Sequence, residues 1–187
     1  MVPMDDYTPK TGDFFLTQIT GFGGFLIRLA QAISGDASRY THAGIVLDDG
    51  TVVQAMPGGA TIVPLEEITA KRPLAFSDYD LDDVTRQKIS DIARSYKGTP
   101  YNFLDYLTLG MLALGIKPPR LRKYVHTSKH MICSQLVDRV YNLADVQLFD
   151  DGRDSGDVTP GDLAHVGTIH HVTPGPKSLG RPEIVPF

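Results

Sequence analysis

The chain has 187 residues, 42% of them hydrophobic and 21% charged, with a formal net charge of −4. This length fits one domain with a sizeable core, and the acidic balance does not indicate nucleic-acid binding. Because Cys133 is the chain's one cysteine, an internal disulfide and a multi-cysteine metal site are excluded. We predict a single domain over 1–187, with a core at about 10–172 and a surface tail at 173–187.

The sequence predicts neither a secretory signal nor a membrane-spanning helix. The first residues lack a positive segment followed by an apolar run. The longest apolar stretch, 104–116, is interrupted by Asp105 and two glycines and is too short to cross a bilayer. The location stays open: the chain is made in the cytoplasm, and any action on a cell wall needs another route, such as a phage particle or a holin.

In chain order, the pattern predicts an α+β fold with a small antiparallel sheet. A turn leads into a strand at 12–16, and a helix is predicted over 22–33. A hairpin joins strands at 41–47 and 51–55 through Asp48, Asp49 and Gly50. The remaining predicted elements are strands at 60–64, 73–76 and 167–172, helices at 81–96 and 103–114, and a short turn or helix at 159–163.

Cys133 lies where an apolar approach becomes a helical pattern. Ser134 is suited to the cap or first turn of that helix. Unpaired backbone N–H groups and the helix dipole at this position favour the thiolate, the nucleophilic form. The alternative is a structural cysteine, since this residue type is often buried. The buried helix face is predicted from Leu136, Val137, Val140 and Tyr141.

A histidine near neutral pKa is the usual base for a cysteine nucleophile. His42 opens a predicted strand, and Gln54 follows twelve residues later, across the hairpin. A side-chain amide oxygen there can accept the imidazole N–H and fix the tautomer, as the third member of a triad does. The alternatives are a strand-edge histidine bonded to backbone and an ordinary surface glutamine. His126 and His130, just before the cysteine, are rival bases in a polar loop.

The motifs, in this order, resemble the circularly permuted NlpC/P60 (papain-like) cysteine hydrolases. This branch includes the YiiX-like proteins and relatives of lecithin:retinol acyltransferase, in which histidine precedes cysteine. The resemblance covers roughly residues 10–166. It is carried by Gly-Asp-Phe-Phe at 12–15, Thr-His-Ala-Gly-Ile at 41–45, Gly-Thr-Pro-Tyr-Asn at 98–102, the cysteine helix at 133–137 and Thr-Pro-Gly-Asp-Leu at 159–163.

The resemblance implies a permuted papain-like fold, a small sheet or half-barrel packed against the helix that carries the nucleophile. Cys133 would be the nucleophile, His42 the base and Gln54 the third polar residue, where relatives often have Glu or His. Tyr101 would line the cleft beside the oxyanion hole, with Ser134 next to the nucleophile. A core tyrosine is the alternative for Tyr101. The backbone N–H of Cys133 would be the first oxyanion donor.

By the same resemblance, the expected activity is that of a cysteine peptidase or amidase that cuts peptidoglycan stem peptides through an acyl-enzyme. The alternatives are a lipid or protein amide or thioester hydrolase or acyltransferase, and a non-catalytic binding module. The segment 103–123, apolar from Phe103 and basic up to Lys123, fits a membrane surface, a partner protein or a core helix with a solvated loop.

We predict no cofactor and no metal. His165, His170 and His171 lie near Asp157 and Asp162 in the sequence. Adjacent histidines on a strand point to opposite faces, however, so this group is a weak metal site.

Overall fold

We describe the protein from a computed structural model, over residues 7–18, 38–56, 59–69, 74–100 and 133–172. Several predictions fall outside these residues. They are the helices at 22–33 and 103–114, the basic end of the 103–123 segment, the tail at 173–187, and Tyr101, His126 and His130.

Six antiparallel strands form one sheet in the order β4-β3-β2-β1-β5-β6. The first strand in the sequence therefore lies inside the sheet and pairs with β2 on one side and β5 on the other. The strand bounds are β1 Phe14–Thr17, β2 His42–Val46, β3 Thr51–Met56, β4 Gly59–Pro64, β5 Leu74–Asp78 and β6 Thr168–Val172.

The hairpin between β2 and β3 sets the register of the site. Gly50 has a positive φ of 74°, which glycine adopts without strain. The Asp49 carboxylate accepts hydrogen bonds from the backbone N–H and the hydroxyl of Thr51. This turn pairs Gly44 with Gln54 across the two strands.

The helices begin with local capping signals. α2 starts after Asp82, whose carboxylate accepts the Thr85 N–H at 2.7 Å. α4 starts at Pro160. Its N-cap residue Thr159 and Asp162, the third residue of the helix, form a capping box at this end. The helix bounds are α1 Leu65–Thr69, α2 Asp83–Ser95, α3 Cys133–Leu143 and α4 Pro160–Leu163, with a 3₁₀ turn at Ser155–Asp157.

Alternation along the strands divides the core into two. On one face, Phe14, Ala43 and Ile45 pack with buried residues of α2 and α3, and we call this the helix face. On the other face, which we call the Phe15 face, Phe15 and Phe76 pack with residues of α1. Both faces of the central strands are therefore covered, and β1 and β2 are buried along their whole length.

A buried ion pair fastens α2 to the start of β1. The Arg86 guanidinium donates to Asp13 Oδ1 at 3.0 Å and to the backbone oxygens of Thr11, Tyr79 and Leu81. Burial raises the pKa of Asp13, although donors from Lys10, Tyr7 and Arg86 act in the opposite direction. The Gly-Asp motif at 12–13 thus has a structural role at this end of the sheet.

The α+β class and the strands predicted around the hairpin are confirmed. The helix that begins with Cys133 is also confirmed, with Ser134 in its first turn. The sequence reading missed α1, which follows directly after Pro64. Among the described ranges, no helix is long and apolar enough to cross a membrane.

Candidate active site

His42 and Gln54 form a hydrogen-bonded pair on the Phe15 face. His42 Nε2 lies 2.8 Å from Gln54 Oε1, and His42 is 3% exposed. Because an amide oxygen only accepts, Nε2 carries the proton and Nδ1 is the basic nitrogen of the imidazole. This is the tautomer that a general base acting through Nδ1 requires.

The strand register explains why these two side chains meet. Gly44 is the cross-strand partner of Gln54, and His42 lies two residues before Gly44, so all three share one face. His42 and Gln54 are diagonal neighbours at a separation that long side chains can span. The twelve-residue spacing and the tight turn therefore produce the predicted pair.

Phe15 occupies the space above Gly44. It is the cross-strand partner of Gly44 on β1 and is fully buried. A Cβ atom at Gly44 would lie 2.5 Å from Phe15 Cε1 and 2.5 Å from the Val53 carbonyl oxygen. The Phe15 and His42 rings are 6.2 Å apart between centroids, at an interplanar angle of 65°.

Cys133 is the first residue of α3 and is 1% exposed. The start of this helix is tied to the segment before α4: Ser134 Oγ donates to the Val158 carbonyl at 2.6 Å, and Gln135 Nε2 donates to that of Gly156 at 2.8 Å. These bonds fix the first turn, where the N-terminal backbone N–H groups favour a thiolate. The predicted cleft role of Ser134 stays a prediction.

The direction of α3 brings its beginning towards the His42 end of β2. Tyr141 Oη donates to the Gly12 carbonyl at 2.5 Å, and the Gly12 N–H donates to the Val46 carbonyl. Tyr141 therefore marks the far end of β2. The eight residues back to Cys133 rise about 12 Å, close to the roughly 13 Å from Val46 back to His42. α3 contacts β2, and from these matching lengths we infer that its N-terminus lies near the end of the sheet where β2 begins.

The imidazole and the thiol approach this end from different faces. Ala43 and Ala55 point to the helix face and share its core with Cys133. His42 and Gln54 point the other way, by strand alternation. His42 is the first residue of its strand. Any meeting of Cys133 and His42 therefore takes place at the beginning of β2 rather than across its middle.

Tyr40, two residues before His42, is a buried polar neighbour that the sequence reading missed. Tyr40 Oη lies 2.7 Å from His171 Nδ1, and the two rings are stacked. Burial raises the pKa of Tyr40, with Arg39 acting in the opposite direction. Nothing in the local sequence predicts this pair, because 131 residues separate its members.

Two of the three histidines weighed as metal ligands, His170 and His171, have other partners. His170 Nε2 lies 3.2 Å from Asp78 Oδ2 and its ring stacks on Tyr7, whereas His171 contacts Tyr40. They are adjacent on β6 and point to opposite faces, as the strand pattern predicts. In the part of the chain that the structure describes, no three His, Cys, Asp or Glu residues are grouped as a metal site.

The comparisons with known proteins give one structural likeness to report. No protein-family model and no curated protein matches the sequence. The crystal structure of the metalloprotein YiiX from Escherichia coli O157:H7, DUF1105, is similar, with a TM-score of 0.60 and 18% identity. The alignment covers 90% of this chain and 99% of that chain. At this identity the likeness shows the fold alone, a YiiX-like α+β arrangement.

Proposed function

We propose that this protein is a cysteine hydrolase with a permuted papain-like fold, in which Cys133, His42 and Gln54 form a triad. The observation that carries the proposal is the buried hydrogen bond of 2.8 Å between His42 Nε2 and Gln54 Oε1. This bond leaves Nδ1 as the proposed base, at the end of the sheet where β2 begins. We infer that the cysteine helix begins near the same end. The YiiX-like fold is consistent with this class.

In the proposed reaction, His42 Nδ1 takes the thiol proton and Cys133 Sγ attacks the substrate carbonyl carbon. The backbone N–H of Cys133 donates to the oxyanion of the tetrahedral intermediate. The imidazolium protonates the leaving amine or alcohol, and the acyl group stays on Sγ. Water then gives a proton to Nδ1 and attacks the thioester, which releases the acid and restores the thiol.

Gln54 orients the imidazole but, being neutral, adds little to the stability of imidazolium. A carboxylate in its place would hold the proton on His42 more strongly. We therefore propose a triad that orients its base without a strong ion pair. Tyr101 stays a predicted cleft residue, since it lies outside the described residues.

Peptidoglycan stem peptide is the first substrate we propose, from the resemblance to NlpC/P60 enzymes. The similar structure is that of a metalloprotein. The described residues of this chain include no group of three His, Cys, Asp or Glu that could hold a metal ion. A lipid or protein acyl substrate is the second candidate, and the 103–123 segment is its sequence basis.

Alkylation of the single cysteine tests the triad without a substrate. Iodoacetamide labelling of Cys133 is followed from pH 5 to pH 9 in the wild type, His42→Ala and His165→Ala, a matched control on a histidine of the α4–β6 connection. We expect fast labelling below pH 7 that is lost only in His42→Ala. Labelling only near pH 8.5, the ordinary thiol value, would make Cys133 structural and favour a binding module.

Mass spectrometry of digested peptidoglycan tests the substrate. Fragments released by the wild type and not by Cys133→Ala would support an amidase or endopeptidase. An activated cysteine with no released fragments would contradict the peptidoglycan substrate and direct the search to lipid and protein acyl groups.

A further inference from the structure

We propose that Phe15 is a positioning residue, which holds the imidazole of His42 in the plane of its hydrogen bond to Gln54. That the orientation of His42 matters for catalysis rests on the proposed function. The contact between the Phe15 and His42 rings does not depend on it.

Phe15 can take this position only because residue 44 has no side chain. A Cβ atom at Gly44 would come within 2.6 Å of both Phe15 Cε1 and Cζ, which real side chains do not do. The phenyl ring thus fills the space that a side chain at position 44 would take. That space is directly opposite Gln54 across the two strands and two residues from His42, on the same face.

The ring contact restricts how the imidazole can turn. A centroid distance of 6.2 Å and an angle of 65° correspond to a T-shaped aromatic pair. The imidazole χ2 torsion is intrinsically broad, so only its neighbours define the plane of the ring. A rotation of the ring would move Nε2 out of line with Gln54 Oε1 and bring it against the phenyl ring.

Phe15 is itself held firmly. It is fully buried, and its other cross-strand partner is Phe76, which packs in the same core. A rigid aromatic wall on one side and an amide acceptor on the other select a single imidazole orientation. A glycine inside a strand often marks such a close approach, and Gly44 in β2 is an example.

Phe15→Leu tests this assignment, with Phe14→Leu as the matched control. Both residues are fully buried phenylalanines of β1, but Phe14 points to the helix face and contacts Tyr141. Nitrogen NMR of the imidazole reports the tautomer of His42, and iodoacetamide labelling of Cys133 at pH 6 reports activation of the thiol. Urea unfolding of both variants checks that each is folded and that the two are destabilised to a similar extent.

In Phe15→Leu we expect a mixture of imidazole tautomers. Labelling of Cys133 should be slower by roughly twofold to tenfold, the fold-change that corresponds to the energy of one aromatic pair. Phe14→Leu should leave both signals at their wild-type values. An unchanged tautomer in a folded Phe15→Leu would overturn the positioning role, even with an activated Cys133 in the wild type. A changed tautomer with a thiol that is inert in every variant would support positioning and contradict the proposed triad.

Discussion

Replacing Gln54 with glutamate should raise the imidazolium pKa of His42 by about 2 to 3 units. The two side chains are joined by a contact of 2.8 Å between Nε2 and Oε1. With the charge centres about 4 Å apart and an effective dielectric constant of about 20, the attraction is about 4 kcal/mol. Since one pKa unit corresponds to about 1.4 kcal/mol, this attraction alone would raise the His42 pKa by about 3 units. The cost of burying the new carboxylate reduces that rise.

The shift is measured by following the His42 ring signals in an NMR titration from pH 4 to pH 10, with His42→Ala used for assignment. Gln87→Glu is the matched control, because Gln87 is an exposed glutamine of α2 that bonds Asp48 and Asp91. We expect no shift of the His42 pKa in that variant. A shift below about half a unit in Gln54→Glu would mean that the side chains are not paired in solution, and the argument for the tautomer would fail.

The same variant separates thiol activation from hydrolysis. In the proposed triad, a more basic imidazole would hold the proton of the Cys133 thiol over a wider pH range, so alkylation at pH 6 should stay fast. The proposed release of the acyl group needs neutral His42 as the base for water, so hydrolysis at pH 7 should fall by about tenfold or more. Equal losses of both activities would contradict this division of roles.

Three further predictions concern stability. Arg86→Met leaves the buried Asp13 carboxylate without its ionic partner and should lower the free energy of unfolding in urea by about 3 to 5 kcal/mol. The hydrogen bonds from Thr51 and the Arg94 guanidinium lower the pKa of Asp49 to about 2, so the stability that these bonds provide is present above about pH 4 and lost as the pH falls towards 2. Thr159→Ala removes the capping box of α4 and should cost about 1 kcal/mol, seen as a lower Tm.

Each of these predictions has its own control. Arg94→Met removes exposed ion pairs and should lower the free energy of unfolding at pH 7 much less than Arg86→Met does, so an equal cost would contradict the role of burial. Asp49→Asn should flatten the loss of the urea midpoint between pH 4 and pH 2, and an unchanged slope would refute the assignment to Asp49. Thr159→Ser keeps the cap hydroxyl and should retain the wild-type Tm.

The sequence predicted the parts of the site that depend on local pattern. The hairpin turn and the strand period were enough to place His42 beside Gln54, and the apolar spacing after Cys133 located the helix start. The start of α1, which the sequence prediction lacks, has a local signal: Pro64 precedes the helix, and Glu66 and Glu67 lie in its first turn. These features depend on residues only a few positions apart.

The rest could not be predicted because it depends on long-range packing. The Arg86–Asp13 pair joins residues 73 positions apart, and no single segment indicates that a charged arginine is buried. The contact of Tyr40 with His171 depends on the strand order, in which the last strand, β6, pairs with β5 in the same sheet as β2. No local pattern gives that order. The close approach of Phe15 to Gly44 needs the register between β1 and β2.

The interior position of β1 and the late position of the cysteine helix have a consequence for biosynthesis. The strands that carry His42 and Gln54 are complete at Met56, and Cys133 follows 77 residues later (133 − 56). At about 5–20 residues per second, the ribosome takes about 4 to 15 seconds to add this stretch. Cys133 is therefore added after the strands β1 to β5, whereas Val158, Leu163 and β6, which complete its core and the sheet, follow it.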